Sequence, residues 1–344
     1  MIADRWEHGS DQHWIEPSAG GRYPWRSAVL YGCGRYALNA AIAHGGHRRL
    51  WVPAFFCQEV LAAIPHGSVE LVTYDDAPGA LVDDLGALPF RDGDAVFSVN
   101  TLGLRARPPR VPAGVPVIED HTHDLWSAWA TGSTAPLAIA SLRKLLPVPD
   151  GGALWSPSGG GLPAEPALDP AHARAALDRL EGMVLKTAYL DGAAIPKDAF
   201  RAHALAGEAA IATGPSSAPL PLTRTVLAAF PVDAWRARRA ENHAAFAEAL
   251  GDAPGVQLVA PEPGATPYTV TLVHDTPELR ERVREKLIEA RIYPAILWSL
   301  EHPAVSISPA MLDLSRRILS LHCDLRYSPA DMERVAGAVR AAIA

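Results

Sequence analysis

Short apolar runs that alternate with helix-like segments limit this chain to a small set of folds. The runs are four to six residues long and bounded by Gly, Pro or Asp, as is typical of strands buried on both faces of a sheet. They are Ala28–Tyr31, Leu50–Pro53, Val69–Tyr74, Ala95–Val99 and Val115–Glu119. The helix-like segments between the first four runs are Tyr36–Ala43, Gln58–Ile64 and Ala80–Leu88. This order predicts an α/β fold with a doubly wound, mostly parallel sheet and helices on both faces.

The pattern changes after residue 157, where the helices become longer. Before that point, Leu137–Ser141 and Ala153–Trp155 predict a short hairpin. Beyond it, the sequence predicts a loop at 214–222, strands at 257–260 and 268–273, and helices at 170–190, 232–250, 277–290 and 329–343. Strands alternating with covering helices are typical of an α+β domain. We therefore predict a large domain, 1–228, and a smaller C-terminal domain, 229–344.

Charge and composition argue against several classes of protein. The 344 residues carry a formal net charge of −7 and no Lys/Arg run, which argues against nucleic-acid binding. No apolar run approaches the roughly 18–20 residues that span a bilayer, and the N-terminus lacks a signal-peptide pattern. Cys33, Cys57 and Cys323 form neither a disulfide framework nor a zinc spacing. We expect a globular protein of the cytoplasm.

A glycine-containing turn, Tyr31-Gly-Cys-Gly-Arg-Tyr-Ala-Leu38, follows the first strand and opens a helix. Its backbone N–H groups are suited to an anion at the helix N-terminus. Gly32, Gly34 and Ala37 also match a dinucleotide fingerprint, which needs an acidic residue at the end of the next strand. That strand ends in Val52-Pro-Ala-Phe-Phe56, without such a residue. A lone phosphate is therefore the better ligand, and a plain structural turn is the alternative.

The segment Val117-Ile-Glu-Asp-His-Thr-His-Asp124 delivers an acid to the carboxyl end of a buried strand, where α/β sheets bind their ligands. Asp120 can pair there with a pyridinium nitrogen and keep it protonated. His121, His123 and Asp124 are also candidate metal ligands, but a metal site needs further ligands from later strands. The sequence does not offer them. A purely structural role is the remaining alternative.

Lysine is scarce in this chain, which contains only Lys144, Lys186, Lys197 and Lys286. Lys144 alone lies in an apolar turn shaped by Pro and Gly. We expect burial there to keep its amine neutral and able to form a Schiff base. Ser141 and Lys144 also make the S-x-x-K spacing of penicillin-recognising enzymes, but the S-D-N and K-T-G motifs of those enzymes are absent. A surface lysine on a hairpin is the alternative.

The order of these motifs resembles that of fold-type I enzymes that use pyridoxal 5′-phosphate (PLP), most closely the DegT-like branch that includes the sugar-nucleotide aminotransferases. The resemblance covers residues 31–155. It implies a three-layer architecture with a mostly parallel central sheet, with PLP as cofactor and no metal. It also implies that Lys144 holds PLP as a Schiff base and that Asp120 pairs with the ring nitrogen. His123 is then a neighbour of the phenolate oxygen.

The same resemblance assigns the remaining cofactor contacts. The family's phosphate turn corresponds to the segment around Gly34 and Arg35, so these two residues are expected to bind the cofactor phosphate together with Ser141. The family's valine–proline loop carries an aromatic ring over the pyridine, and here either Phe55 or Phe56 fills that role. The segment by which family members complete a partner's phosphate site is not evident, and the loop at 214–225 is the candidate for it.

We therefore expect a homodimeric PLP-dependent aminotransferase with shared active sites. It would move an amino group from an amino acid to a keto or aldehyde acceptor, a sugar or another biosynthetic intermediate. A lyase, decarboxylase or cyclase would use the same residues, because the cofactor carries the chemistry. A catalytically silent cofactor-binding regulator is a third hypothesis, against which the lack of a DNA-binding segment argues. Candidate substrate contacts are Asn100, Arg105, Arg107, Trp298 and Arg326.

Overall fold

The computed structural model of the chain describes residues 5–9, 12–18 and 27–344. Its strands are β1 His8–Gly9, β2 Val29–Tyr31, β3 Arg49–Pro53, β4 Glu70–Tyr74, β5 Asp94–Val99, β6 Val117–Asp120, β7 Leu137–Ser141, β8 Gly152–Trp155, β9 Val256–Leu258, β10 Thr269–His274, β11 Ile292–Tyr293 and β12 Ile318–His322. Its α-helices are α1 Gly34–Gly45, α2 Gln58–Ala62, α3 Ala128–Gly132, α4 Pro170–Leu190, α5 Lys197–Thr213, α6 Pro221–Val226, α7 Val232–Leu250, α8 Pro277–Glu289, α9 Pro309–Arg317 and α10 Pro329–Ile343.

The chain forms two compact units. Of the described residues, the first comprises 5–6, 12–18, 27–45 and 136–232, and the second comprises 7–9, 46–135 and 233–344. The large sheet has seven strands and is mostly parallel, which confirms the predicted α/β class. The division into domains 1–228 and 229–344 stays a prediction. Within the described part of the chain, no helix has both the length and the apolar character needed to cross a membrane.

In the first unit, β8 lies between β2 and β7 and is antiparallel to both. The pairing of Ser141 with Gly152 confirms the predicted hairpin. Helix α1 packs on β7 and β8, and α4 packs along α5. Helix α4 begins where the sequence predicts, because the Asp169 side chain caps its first turn and Pro170 suits the first helical position. The sequence places His203 in a helix-like stretch, and the structure gives that helix, α5, its bounds.

In the second unit, parallel strands run in the order β6, β5, β3, β4. All six residues of β5 are buried, as expected for a strand covered on both faces. Val99 of β5 pairs with Asp120 of β6, so Asp120 lies at the carboxyl end of these strands. A separate antiparallel sheet, in the order β9, β10, β12, packs against α8 and α9. Strand β12 and helix α9 were not predicted.

The prediction of a helix at Ala80–Leu88 is wrong, because this segment is irregular and contains no helix. Asp76 Oδ1 accepts a hydrogen bond from Val82 N at 2.9 Å. Aspartate side chains that bond to nearby backbone in this way favour turns over helix. The apolar residues that made the segment look helical pack elsewhere: Leu85 lies in a buried cluster with Trp51 of β3.

Candidate active site

The phosphate turn at the start of α1 approaches the lysine turn closely within the first unit. A Cβ atom on Gly34 would lie 2.8 Å from the Cβ of Ser141, so a larger residue would push the two turns apart. Leu142 N donates to Gly151 O at 3.1 Å, and Gly151 N donates to Gly32 O at 2.7 Å. The predicted phosphate contacts Gly34 and Ser141 are therefore neighbours.

The position of Lys144 differs from the one expected. Lys144 ends a 3₁₀ turn, Leu142–Lys144, and its side chain is exposed. Leu142 and Leu146 fill the core on either side of it, so the apolar character of the turn belongs to these leucines. The buried lysine is Lys186 of α4, which is 3% exposed. An experiment that assigns a reactive lysine must therefore distinguish Lys144 from Lys186.

Asp150 ties the lysine turn to the loop that follows α5. This carboxylate is fully buried, contacts His172 Nε2 at 3.0 Å and accepts a hydrogen bond from Thr223 Oγ1. Ser217 O accepts a hydrogen bond from the first glycine of the phosphate turn at 2.7 Å. Sequence reasoning found no role for this loop within its own subunit. The structure shows one, because Ser217 and Thr223 brace the two turns that carry the predicted site.

The side chain of Arg35 leaves the phosphate turn and extends toward α5. Its Nη1 donates to Ala212 O at 3.2 Å, and its Nη2 lies 3.5 Å from Glu208 Oε1. Burial raises the pKa of the neighbouring Cys33 thiol. Hydrogen bonds from the backbone N–H groups of Tyr36 and Arg35 lower this pKa and so oppose the effect of burial. An anion at this turn would therefore meet the backbone N–H of Arg35, while the guanidinium faces Glu208.

In the second unit, Asp120 is a buried acid at the end of β6. Its Oδ1 accepts a hydrogen bond from Thr122 N at 2.8 Å. Burial raises the pKa of the Asp120 carboxyl, although the hydrogen bonds from Thr122 oppose this effect. Ionising such a group is unfavourable unless a cation accompanies it. The position is chemically suited to a protonated ring nitrogen.

The shorter contact of His123 Nδ1 favours one tautomer of its ring. Its Nδ1 accepts a hydrogen bond from Leu102 N at 3.2 Å. A backbone N–H can only donate, so the neutral ring carries its proton on Nε2. The contact between Nδ1 and Asn100 O, at 3.3 Å, is then secondary. The ring also packs against Tyr268 at 4.8 Å between ring centres. His123 thus offers a hydrogen-bond donor at Nε2.

Phe55 and Phe56 are both buried in an aromatic cluster of the second unit. Their ring centres lie 6.2 and 5.5 Å from that of Trp298, which also lies 5.7 Å from His123. Phe56 packs on Phe97 as well, at 5.3 Å. The structure therefore groups Trp298, a predicted substrate contact, with the predicted ring-binding residues, and both phenylalanines remain candidates for stacking.

Two arginines of α7 hold the loop that contains His123, and sequence reasoning missed both. The buried carboxylate of Asp124 accepts hydrogen bonds from Arg236 at 2.9 and 3.1 Å and from Arg239 at 3.0 Å. Arg239 Nη1 also donates to His123 O at 2.9 Å. The available sequence signal is the Arg-x-x-Arg spacing, which places both side chains on one helix face.

The candidate metal ligands of this segment have separate partners. His121 Nε2 lies 2.9 Å from Glu119 Oε2, while Asp124 binds the arginines of α7. The described residues do bring potential ligand atoms within 4.8 Å of one another on α4 and α5, but from residues that were not predicted: Asp178, Glu181 and His203.

Two of the predicted substrate contacts are committed to internal ion pairs. Arg105 is 1% exposed and pairs with the buried Asp76. Arg326 Nε and Nη2 donate to the two oxygens of Asp324, both at 2.8 Å. Arg107 is exposed, with Asp83 at 3.8 Å. Of these three arginines, Arg107 alone presents its charge to solvent.

No protein-family model matches the sequence, and no curated protein matches it. Solved structures do match the fold. The crystal structure of DesI with its TDP-sugar product is 21% identical, covers 92% of this chain and 81% of that chain, and has a TM-score of 0.57. A DegT DnrJ EryC1 StrS aminotransferase from Brucella abortus is 18% identical, with coverages of 91% and 85% and a TM-score of 0.54.

Helicobacter pylori PseC, an aminotransferase involved in the biosynthesis of pseudoaminic acid, matches over the greatest length of the three. It is 12% identical, covers 98% of this chain and 99% of that chain, and has a TM-score of 0.62. The chain has the DegT-like aminotransferase fold. The predicted fold-type I architecture is thereby confirmed, while identities at this level leave the activity to be argued from the site.

Proposed function

We propose that this protein is a PLP-dependent aminotransferase that acts on a keto sugar or a similar carbonyl intermediate. The observation that carries the proposal is Asp120, a buried acid at a strand end whose pKa is raised by burial and which would pair favourably with a cation. The DegT-like fold supports the reaction class, and the names of its neighbours, DesI with a TDP-sugar among them, support the acceptor.

The residues present fit the cofactor in each unit taken by itself. In the first, the N-terminus of α1 and the adjoining Ser141 suit a phosphate, because a helix start presents unpaired N–H groups. In the second, the buried Asn100 lies beside Asp120. The backbone N–H of Asn100 donates a hydrogen bond to the backbone carbonyl oxygen of Asp120 at 3.0 Å. Asn100 Nδ2 has no hydrogen-bond partner among the described residues. An unpaired buried donor favours a ligand at this strand end.

The chain's own residues would then divide the work. PLP supplies an electron sink that stabilises negative charge at the substrate Cα. Lys144 would hold the cofactor covalently, be displaced by the amino donor, and move a proton as general acid and base. Asp120 would hold the ring nitrogen protonated, and His123 Nε2 would donate to the phenolate oxygen. The backbone N–H groups of Gly34 and Arg35, with the Ser141 hydroxyl, would bind the phosphate.

The amino donor provides the test of this proposal. Adding the donor alone should bleach the yellow protein, and a keto acceptor should then restore the colour, because the two half-reactions are separate. We expect glutamate or glutamine as donor. Absorbance spectra across a panel of amino acids measure the change, with keto acid, ammonia and carbon dioxide quantified. Release of ammonia or carbon dioxide without bleaching would move the protein to the lyase or decarboxylase class.

Replacing His123 with alanine should raise the pH at which the visible band changes, by about one unit. A donor on Nε2 stabilises the phenolate oxygen, so its loss makes that oxygen hold a shared proton more tightly. Turnover should fall less than in variants of Lys144. A spectrophotometric pH titration measures the midpoint, with the exposed His44→Ala as control. An unchanged midpoint would count against the proposed contact.

We also propose that the protein is a homodimer whose partners complete each other's sites, as the resemblance implies. Apolar side chains exposed on α4 and α5 support an interface there: Leu177 is 53% exposed, Val184 47% and Leu205 64%. Light scattering at micromolar concentration should give twice the mass of the 36.6 kDa chain. A fully active monomer at that concentration would refute the shared site.

A cytoplasmic location is part of the same proposal. It is supported by the three cysteines, none of which forms a disulfide bond in the structure, with Cys33 and Cys323 buried. Free thiols are typical of proteins kept in a reducing compartment.

A further inference from the structure

Three arginines surround one glutamate beside the lysine turn. Arg143 precedes Lys144 and donates to Glu208, to which Arg179 also donates at 2.6 Å. Arg35, from the phosphate turn, lies 3.5 Å from the same carboxylate. The three arginine side chains are 10 to 14% exposed, whereas that of Glu208 is 41% exposed. One carboxylate thus faces three guanidinium groups, while the buried Asp150 also acts electrostatically on Arg143.

The charge of this cluster reaches both turns of the predicted site. Burial alone would raise the pKa of the Glu208 carboxyl. The neighbouring cations Arg143 and Arg179 outweigh this effect and hold the pKa of Glu208 at about 2. Lys144 acts on Glu208 in the same direction, which places the two groups within electrostatic reach. Burial raises the pKa of the Cys33 thiol at the start of α1, and the positive charges of Arg143 and Arg35 lower it.

Arg143 has an unmet hydrogen-bonding group. Its side chain is 10% exposed, and its Nε is buried without a hydrogen-bond partner among the described residues. A buried guanidinium N–H left unpaired is costly, so such a group favours a bound acceptor. Arg143 stands two positions after Ser141, whose Cβ closely approaches Gly34 at the start of α1. Because Arg143 also acts electrostatically on Cys33, next to Gly34, the N-terminus of α1 is the candidate position for such an acceptor.

We propose, on the basis of the function proposed above, that Arg143 supplies positive charge to a phosphate monoester bound at the start of α1, and that Glu208 limits this charge. Each chain would then contribute an arginine of its own to the positive charge around the cofactor phosphate. This fits a sequence in which the segment that completes a partner's phosphate site is not evident.

The test compares binding of PLP with binding of pyridoxal, which lacks the phosphate, in opposite charge variants. Arg143→Gln removes a positive charge and should weaken PLP binding about tenfold, with pyridoxal binding unchanged. Glu208→Gln removes the opposing negative charge and should tighten PLP binding severalfold, again without effect on pyridoxal. Inorganic phosphate should compete with PLP in the wild type and less so in Arg143→Gln.

Matched controls come from an exposed pair, Arg316 and Glu301, whose closest oxygen–nitrogen distance is 2.8 Å. Arg316→Gln and Glu301→Gln should leave both affinities unchanged. If Arg143→Gln does not fold, two other variants can replace it in the test. Arg143→Lys should lose less PLP affinity than Arg143→Gln, and Glu208→Gln should still gain it. Equal losses for PLP and pyridoxal, or weaker PLP binding in Glu208→Gln, would overturn the proposal. A wild type that binds no PLP would instead contradict the proposed function itself.

Discussion

Replacing Lys144 with alanine should lower turnover by at least about a thousandfold while some non-covalent cofactor binding remains. The lysine has two roles in the proposed reaction, covalent attachment and proton transfer, and general acid–base catalysis alone contributes about 10²–10⁴-fold. The phosphate contacts proposed at Gly34 and Ser141 do not involve the lysine amine, so the variant should still retain PLP after gel filtration. Steady-state kinetics and absorbance spectra measure the two effects.

The decisive companion measurement assigns the modified lysine. Borohydride reduction of the wild type should fix the cofactor on Lys144, and peptide mass spectrometry reads the position. Lys186 is the rival, because burial rather than exposure is the usual way to make a lysine amine reactive. Lys286→Ala, an exposed lysine paired with Glu289, should behave as wild type. A label on Lys186, or no label, would remove Lys144 from the mechanism.

The elements that the sequence predicts well are those with local signals. Helix α4 is bounded as predicted because Asp169 and Pro170 mark its start. Strand β6 and its terminal Asp120 follow from a short apolar run that ends in an acid. The hairpin that leads to Lys144 also follows from short apolar runs. These local signals lie in the first half of the chain, which is why that half was enough to predict the fold class.

The parts that the sequence does not reveal depend on contacts between distant segments. The bonds of Asp124 with Arg236 and Arg239 join residues more than 100 positions apart. The hydrogen bond that Thr223 donates to Asp150 also joins residues that are far apart in the sequence. The exposure of Lys144 was also missed, because apolar neighbours in sequence do not show which side chains turn inward.

Replacing Asp120 with asparagine should have opposite effects on stability and on activity. Burial raises the pKa of this carboxyl in the folded chain, so its neutral form is favoured there. Without cofactor, the wild type should therefore lose stability as the pH rises from the usual carboxylate range through that raised pKa. Asparagine can keep the bond from Thr122 N and has no such loss. At neutral pH the cofactor-free variant should be more stable than the wild type.

Activity should fall by at least about a hundredfold in the same variant, because a neutral amide does not hold the ring nitrogen protonated. Urea unfolding of the cofactor-free proteins at acidic and neutral pH measures the first effect, and turnover measures the second. The gap in unfolding free energy should close in acid, where both side chains are neutral. Asp83→Asn, an exposed acid, should change neither quantity. A variant that turns over like wild type, or is less stable at neutral pH, would mean that Asp120 is a structural acid.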